Sequence, residues 1–254
     1  MYQYFDMATE WKSILPSAAT LYVPIGNKYK YEALAGWNQF GVIKEGELQE
    51  AVVDGIRYAY ATGETTASVI HDDSYQELTA VTIPAEVVIN GKTFSVTTIG
   101  RSAFNSCGNI TSISLPEGLE TIGDYAFVGC GFTEIKLPST LQKIGKEAFW
   151  NCCMKTMIIP EGVKTIGDFA FANMYNLTQL DLPNSLTKTG YKLIFGCNQL
   201  KSVNSYITDP YAISSSTFIS ELNFVTETNA WVATPSPATL YVPHGTKEKY
   251  EALS

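Results

Sequence analysis

The chain has 254 residues, 45% apolar and 17% charged, a balance that supports a packed core and excludes a disordered polypeptide. Seventeen Lys and Arg against 25 Asp and Glu leave a net charge of −8 with no basic cluster, so neither nucleic acid nor an anionic membrane surface is expected as partner. No run approaches the roughly 18 consecutive apolar residues of a membrane span.

The stretch from Met1 to Thr20 carries Asp6 and Glu10 and no apolar h-region, so no signal peptide is read there. The segment SAATLYVPIGNKYKYEAL, residues 17–34, predicts a strand ending in Val-Pro and then a short helix, with Asn27 suited to its N-cap. Trp37 and Phe40 follow in GWNQFGVIKE as side chains large enough to cover the open end of a core. Two hairpins are expected next, turning at Asp54-Gly55 and Asn90-Gly91, both strong type I′ signals. Between them HDDSYQE reads as a solvated turn, because Asp72 and Asp73 lack the spacing of a calcium loop.

From residue 78 the chain becomes periodic. Ile99-Gly100, Ile122-Gly123, Ile144-Gly145, Ile166-Gly167 and Thr189-Gly190 follow one another at a near-constant interval. It falls within the period of roughly 20–50 residues that marks a solenoid. Each unit holds an apolar strand of the form LxxIxLP, then LxxIG, then xAFxxC. The strands are read at 78–84, 110–116, 132–138, 154–160 and 177–183, with 200–205 continuing the series without its proline.

Alternation sends Ile113 and Leu115 inward and Ser112 and Ser114 outward. The proline, lacking an N–H, ends the ladder. Glycine allows backbone angles or close approaches that a side chain forbids, and the alanine leaves room for the next coil. With coils about 4.8 Å apart, Phe104, Phe127, Phe149 and Phe171 are expected to form an offset stack, with Ile194 in fifth place.

The unit LxxIxLPxxLxxIGxxAFxxC resembles the BspA-like, or Treponema pallidum type, leucine-rich repeat, in register over residues 78–205. The flanking hairpins and the terminal PATLYVPHGTKEKYEAL resemble that family's ends. The resemblance implies an α/β fold: a right-handed leucine-rich-repeat solenoid, or horseshoe, with a concave parallel β-sheet, an N-terminal β-hairpin lead-in and strand-helix end pieces. It also implies a bacterial protein of the cell surface or secreted fraction, non-enzymatic, that binds a protein or glycan ligand in adhesion or host interaction. A structural spacer with no ligand of its own is the alternative.

Residues 17–35 recur at 236–254, with 14 of 19 aligned positions identical. The chain is therefore expected to divide into a leftover end piece (1–45), a hairpin cap with a first irregular repeat (46–98), regular repeats (99–205), and an irregular last repeat with a truncated end piece (206–254). Docking of residues 1–45 on an exposed solenoid end would give end-to-end self-association.

No constellation of catalytic or metal-binding residues is read. Cys107, Cys130, Cys152 and Cys197 share one repeat position with Met174, which indicates a small apolar filler, and Cys153 falls outside that series. No CxxC pair exists, and His71 and His244 stand in no catalytic setting, so neither a metal nor another cofactor is expected. Asn109-Ile-Thr111 and Asn176-Leu-Thr178 match the glycosylation pattern, but they share a repeat position, which explains them more simply. The candidate ligand-binding residues are outward strand positions: Ser112, Ser114, Glu134, Lys136, Thr156, Ile158, Gln179 and Asp181. That face holds no Trp, Tyr or Arg, the residues on which interface energy concentrates.

Overall fold

The computed structural model describes residues 20–23, 28, 32, 42–210 and 238–251. Asn27, Trp37 and Phe40 lie outside the described residues, as do 211–237 of the last irregular segment.

The chain opens with β1 (Thr20–Val23), parallel to β2 (Val42–Glu45). An antiparallel lead-in follows: β3 (Leu48–Val53), β4 (Ile56–Ala61) and β5 (Thr66–Val69). After a 3-10 turn at Asp73–Glu77 come β6 (Ala80–Thr82) and the hairpin of β7 (Glu86–Ile89) with β8 (Lys92–Ile99). Asp54 and Asn90 hold φ of 50° and 51° ahead of their glycines, as the type I′ reading requires.

Each regular coil but the one holding residues 132–138 then supplies two short strands to separate parallel ladders. The first set is β9 (Ser112–Ser114), β12 (Thr156–Ile158), β14 (Gln179–Leu182) and β16 (Ser202–Ser205). The second is β10 (Thr121–Ile122), β11 (Lys143–Ile144), β13 (Thr165–Ile166) and β15 (Lys188–Thr189). The second set joins β8 in unbroken register, Ile99↔Ile122↔Ile144↔Ile166↔Thr189, and through β8 continues into the lead-in sheet. In the first set β6 pairs β9, and β12, β14 and β16 pair in order. There β17 (Thr239–Tyr241) adds to β16 and precedes α1 (Lys247–Glu251). Thr246 donates its hydroxyl to the Pro243 carbonyl at 2.7 Å, while its own carbonyl accepts from Lys249 N–H at 3.0 Å.

The expected strand at 132–138 is absent from the ladder. The coils approach closely just before it, where a Cβ on Gly131 would clash with the Gly108 carbonyl. Phe132, a ring where other coils carry Ile, Met or Leu, turns into the core and meets Phe127 edge-on at 5.7 Å. Residues 133–136 pair with neither β9 nor β12.

A third set of cross-coil bonds closes each turn. The N–H groups of Ser102, Phe104 and Ser106 donate to the carbonyls of Asp124, Ala126 and Val128 at 2.8, 2.8 and 2.7 Å, and later coils repeat the pattern. The backbone reaches this geometry by entering the left-handed region twice per coil. Ser102, Tyr125, Glu147, Phe169 and Lys192 take the first such position, with φ of 50° to 60°.

The glycine after each Ile is required by space. A Cβ on Gly123 would stand 2.8 Å from Arg101 N, and one on Gly145 would stand 2.5 Å from Asp124 N. The facing alanines, Ala103, Ala126, Ala148 and Ala170, are fully buried, as are the four phenylalanines. Ring centroids along that column are 5.6, 5.3 and 5.9 Å apart, and Tyr75 extends it at 4.9 Å from Phe104.

The four periodic cysteines are buried thiols outside any disulfide. The thiols of Cys130, Cys152 and Cys197 donate to the carbonyls of Phe104, Phe127 and Phe171 at 3.2, 2.9 and 3.0 Å. Each thiol thus serves a carbonyl of a neighbouring coil, a role that methionine at 174 cannot fill.

Candidate interaction surface

The outward strand residues fall into two groups. Ser112 and Ser114 are exposed on β9, beside Ala80 and Thr82 of β6. Thr156 and Ile158 lie on β12 in register with Gln179 and Asp181 of β14, and these with Ser202 and Asn204 of β16. Glu134 and Lys136 are exposed on the unpaired segment between the groups. The eight candidate residues therefore do not share one continuous sheet. Asp181 is already engaged: its Oδ1 accepts from Gln179 Nε2 at 2.8 Å and from Asn204 Nδ2 at 2.6 Å.

The face also holds an aromatic ring that repeat alignment missed. Tyr241 of β17 is in register with Asn204, Asp181 and Ile158. Ile158 is 63% exposed and Tyr241 56%, so the row begins and ends on a large, mostly apolar side chain with one carboxylate and one amide between. The position is legible only once TLYV is seen to stack on the last repeat strand.

A second surface lies at the arcs, from the residue after the conserved glycine to the residue after the core ring position. Phe169, held at φ 54°, has Trp150 at 5.7 Å, Tyr191 at 5.8 Å and Phe195 at 6.4 Å, the last two edge-on. Lys192 Nζ stands 5.1 Å from the Tyr191 ring centroid and 5.0 Å from that of Phe195, within cation–π range. Further toward the N-terminus, Tyr125 carries Arg101 and Lys146 over its ring at 5.1 and 5.7 Å. Tyr191 and Phe195 remain 45% and 39% exposed. The Asp168 carboxylate accepts from Tyr191 N–H at 2.6 Å and ties successive coils beneath these rings.

At the lead-in, Arg57 Nε donates to Asp72 at 2.7 Å and Nη1 to Glu50 at 3.2 Å, while the Asp72 carboxylate also accepts from Ser74 N–H. The bonds from Ser74 and then Arg57 hold the Asp72 carboxyl well below the usual carboxylate range. His71 stands between the Ser102 carbonyl and Asp73, each at 3.1 Å. These contacts staple the lead-in to the first coil. Among the described residues there is no group of three His, Cys, Asp or Glu able to hold a metal, and no helix long and apolar enough to cross a membrane.

Stacked coils of near-constant length around a common column of rings, with mostly parallel strands and few helices, define a leucine-rich-repeat protein. The chain belongs to the BspA-type leucine-rich-repeat family, whose repeat region matches residues 97–224 in six copies. Among solved structures, a leucine-rich repeat protein from Bacteroides ovatus is 32% identical, covering 61% of this chain and 46% of that one, with a TM-score of 0.47. The T. pallidum leucine-rich repeat protein TpLRR is 26% identical over 61% of this chain and 71% of its own, at a TM-score of 0.55. A leucine-rich cell surface protein from Faecalibacterium prausnitzii is 20% identical over 63% and 55%, at 0.41. The match thus spans less than half the length of the Bacteroides ovatus chain. No curated protein matches.

Proposed function

We propose that this protein is a non-enzymatic binding module of a bacterial cell surface or secreted fraction, and that it captures a partner protein through the rings exposed at its arcs. One observation carries the reading. Trp150, Phe169, Tyr191 and Phe195 gather at the surface, and the left-handed position of Phe169 is one where Gly or Asn costs least. The backbone does not ask for a ring there. Clustered Trp and Tyr side chains are the groups on which binding energy concentrates.

The outward strand face is the second reading, favoured by the row from Ile158 to Tyr241. With the horseshoe curvature that family resemblance implies, this face lines the concave side. Ser112, Ser114, Glu134, Lys136, Thr156, Gln179 and Asp181 then contribute adaptable polar contacts around Ile158.

The test is capture of matrix proteins and glycans by purified protein, with unfolded protein as control. Phe169→Ser with Tyr191→Ser is expected to weaken capture of a protein ligand at least tenfold, about 1.4 kcal/mol or more, with the melting temperature little changed. Loss from Ile158→Ser with Tyr241→Ser instead moves the site to the strand face. Capture of glycans alone replaces the protein partner. A blank screen leaves the protein a spacer, and turnover of any substrate overturns the non-enzymatic reading.

A further inference from the structure

The duplicated end piece shows a different edge at each of its two sites. In a parallel ladder the N–H and C=O of one residue point to the same side, and successive residues alternate. Thr239 N–H donates to the Lys201 carbonyl at 2.7 Å, so Thr239 and Tyr241 address β16, while Leu240 and Val242 point away. The Val23 carbonyl accepts from Gly46 N–H at 3.0 Å, so Leu21 and Val23 address β2, while Thr20 and Tyr22 point away. Thr20, Leu21, Tyr22 and Val23 are the same residues as Thr239, Leu240, Tyr241 and Val242. One tetrapeptide therefore pairs by one edge near the start of the chain and by the opposite edge near its end. Each copy leaves open, among the described residues, the edge that the other uses.

We propose that two copies of this chain join head to tail through these edges, β17 of one pairing in parallel with β1 of the next. The register is identity on identity, Thr239 beside Thr20, Leu240 beside Leu21 and Tyr241 beside Tyr22. Leu240 N–H then donates to the Thr20 carbonyl, Tyr22 N–H to the Leu240 carbonyl, and Val242 N–H to the Tyr22 carbonyl. Pro24 and Pro243 carry no N–H and end the junction on both strands. The sheet runs β16, β17, β1, β2 across two molecules, and no strand pair among the described residues is displaced. Addition of a strand to an open edge is a common recognition mode. Because the two surfaces differ, the contact does not close on itself and propagates into linear chains. The proposal gives the expected self-association of residues 1–45 its partner strand, and it is independent of the ring surface, so failure here leaves that reading standing.

The test is light scattering of the full chain across a concentration series. The average mass is expected to rise steadily with concentration, and a mass that stays monomeric to the limit of solubility overturns the proposal. Tyr22→Pro removes an N–H on the open edge of β1 and leaves the bonds of Leu21 and Val23; Leu240→Pro does the same for β17. Each variant alone is expected to remain monomeric and folded, Leu240→Pro with a lowered melting temperature because the Leu240 side chain packs on the core. Mixed in equal amounts they keep one good edge of each kind and are expected to form dimers and nothing larger. Association of either single variant at wild-type strength, or a monomeric mixture of two folded variants, refutes the register.

Discussion

The rings of Phe104 and Phe127, which occupy the same place in successive coils, lie 5.6 Å apart with only 7° between their planes. Stacking continues at the next two steps, with the planes 25° and 26° apart, because each arc is bonded to the next by the N–H of the ring residue and those of the residues two before and two after it. Phe127→Ala opens a hole in a fully buried column and removes the edge-on partner of Phe132. A loss of about 3–5 kcal/mol is expected in urea unfolding, against a change within roughly 0.5 kcal/mol for exposed Glu134→Ala.

Gly145 and Gly108 make a matched pair. A Cβ on Gly145 meets the Asp124 backbone at 2.5 Å, whereas one on Gly108 meets only the Gly129 carbonyl at an ordinary 3.6 Å. Gly145→Ala is expected to destabilise by about 1–3 kcal/mol as the coils are forced apart. Gly108→Ala is expected to be neutral or stabilising by up to about 1 kcal/mol, through the unfolded chain. Thermal unfolding of the two variants separates close packing from a general glycine effect.

Thr189 occupies the position that Ile99, Ile122, Ile144 and Ile166 fill in the earlier coils, and its buried hydroxyl has no hydrogen-bond partner among the described residues. Thr189→Val keeps the shape and removes the orphaned group. Stabilisation of about 1–3 kcal/mol is expected, read as a higher midpoint in chemical denaturation.

Burial pushes the Cys152 thiol from 9.0 up to about 12, and the hydroxyls of Tyr58 and Tyr75 from 10.0 up to about 12. The Cys130 thiol is pushed up as well, chiefly by burial. The folded chain holds these protons after the unfolded chain has released them. Their contribution to stability is therefore complete below pH 9 and is lost as pH rises toward 12. Unfolding midpoints are expected to fall across that window. At about pH 8, half-buried Cys153 is expected to react with a thiol reagent well before the four buried cysteines, which become reactive after unfolding; mass spectrometry of partly labelled protein reads the order.

The ring column, the facing alanines and the cysteine series were legible in the sequence because each repeats at the coil period, and packing on an identical neighbour imposes that period. Tyr75 was not, since it caps the column from outside the array, where no second copy marks its role. The rings at 150, 169, 191 and 195 were also missed. Other coils carry Ser, Tyr, Glu or Lys at the position of Phe169, Arg, Asp or Lys at that of Tyr191, and Asn, Val or Ala at that of Trp150 and Phe195, so only coordinates show that consecutive arcs bring the rings together. The lost strand at 132–138 left no trace in the spacing, since the step from Ile122 to Ile144 equals that from Ile144 to Ile166, whose coil keeps β12, and its alternation of apolar and polar residues predicts a strand. The first left-handed corner of each coil left none, because Ser, Tyr, Glu, Phe and Lys are not the residues that such angles advertise, whereas the second falls on Ser106, Gly129, Asn151, Asn173 and Gly196, mostly the Gly and Asn that do.

The unpaired segment at 133–136 has a mechanical corollary. Elsewhere a pull between the two ends of the array is shared by three parallel lines of bonds, but at this level one line is cut and the β10–β11–β13 rungs and the arcs bear the load. A stretched molecule should tear there first, and the two halves on either side should come away as intact blocks.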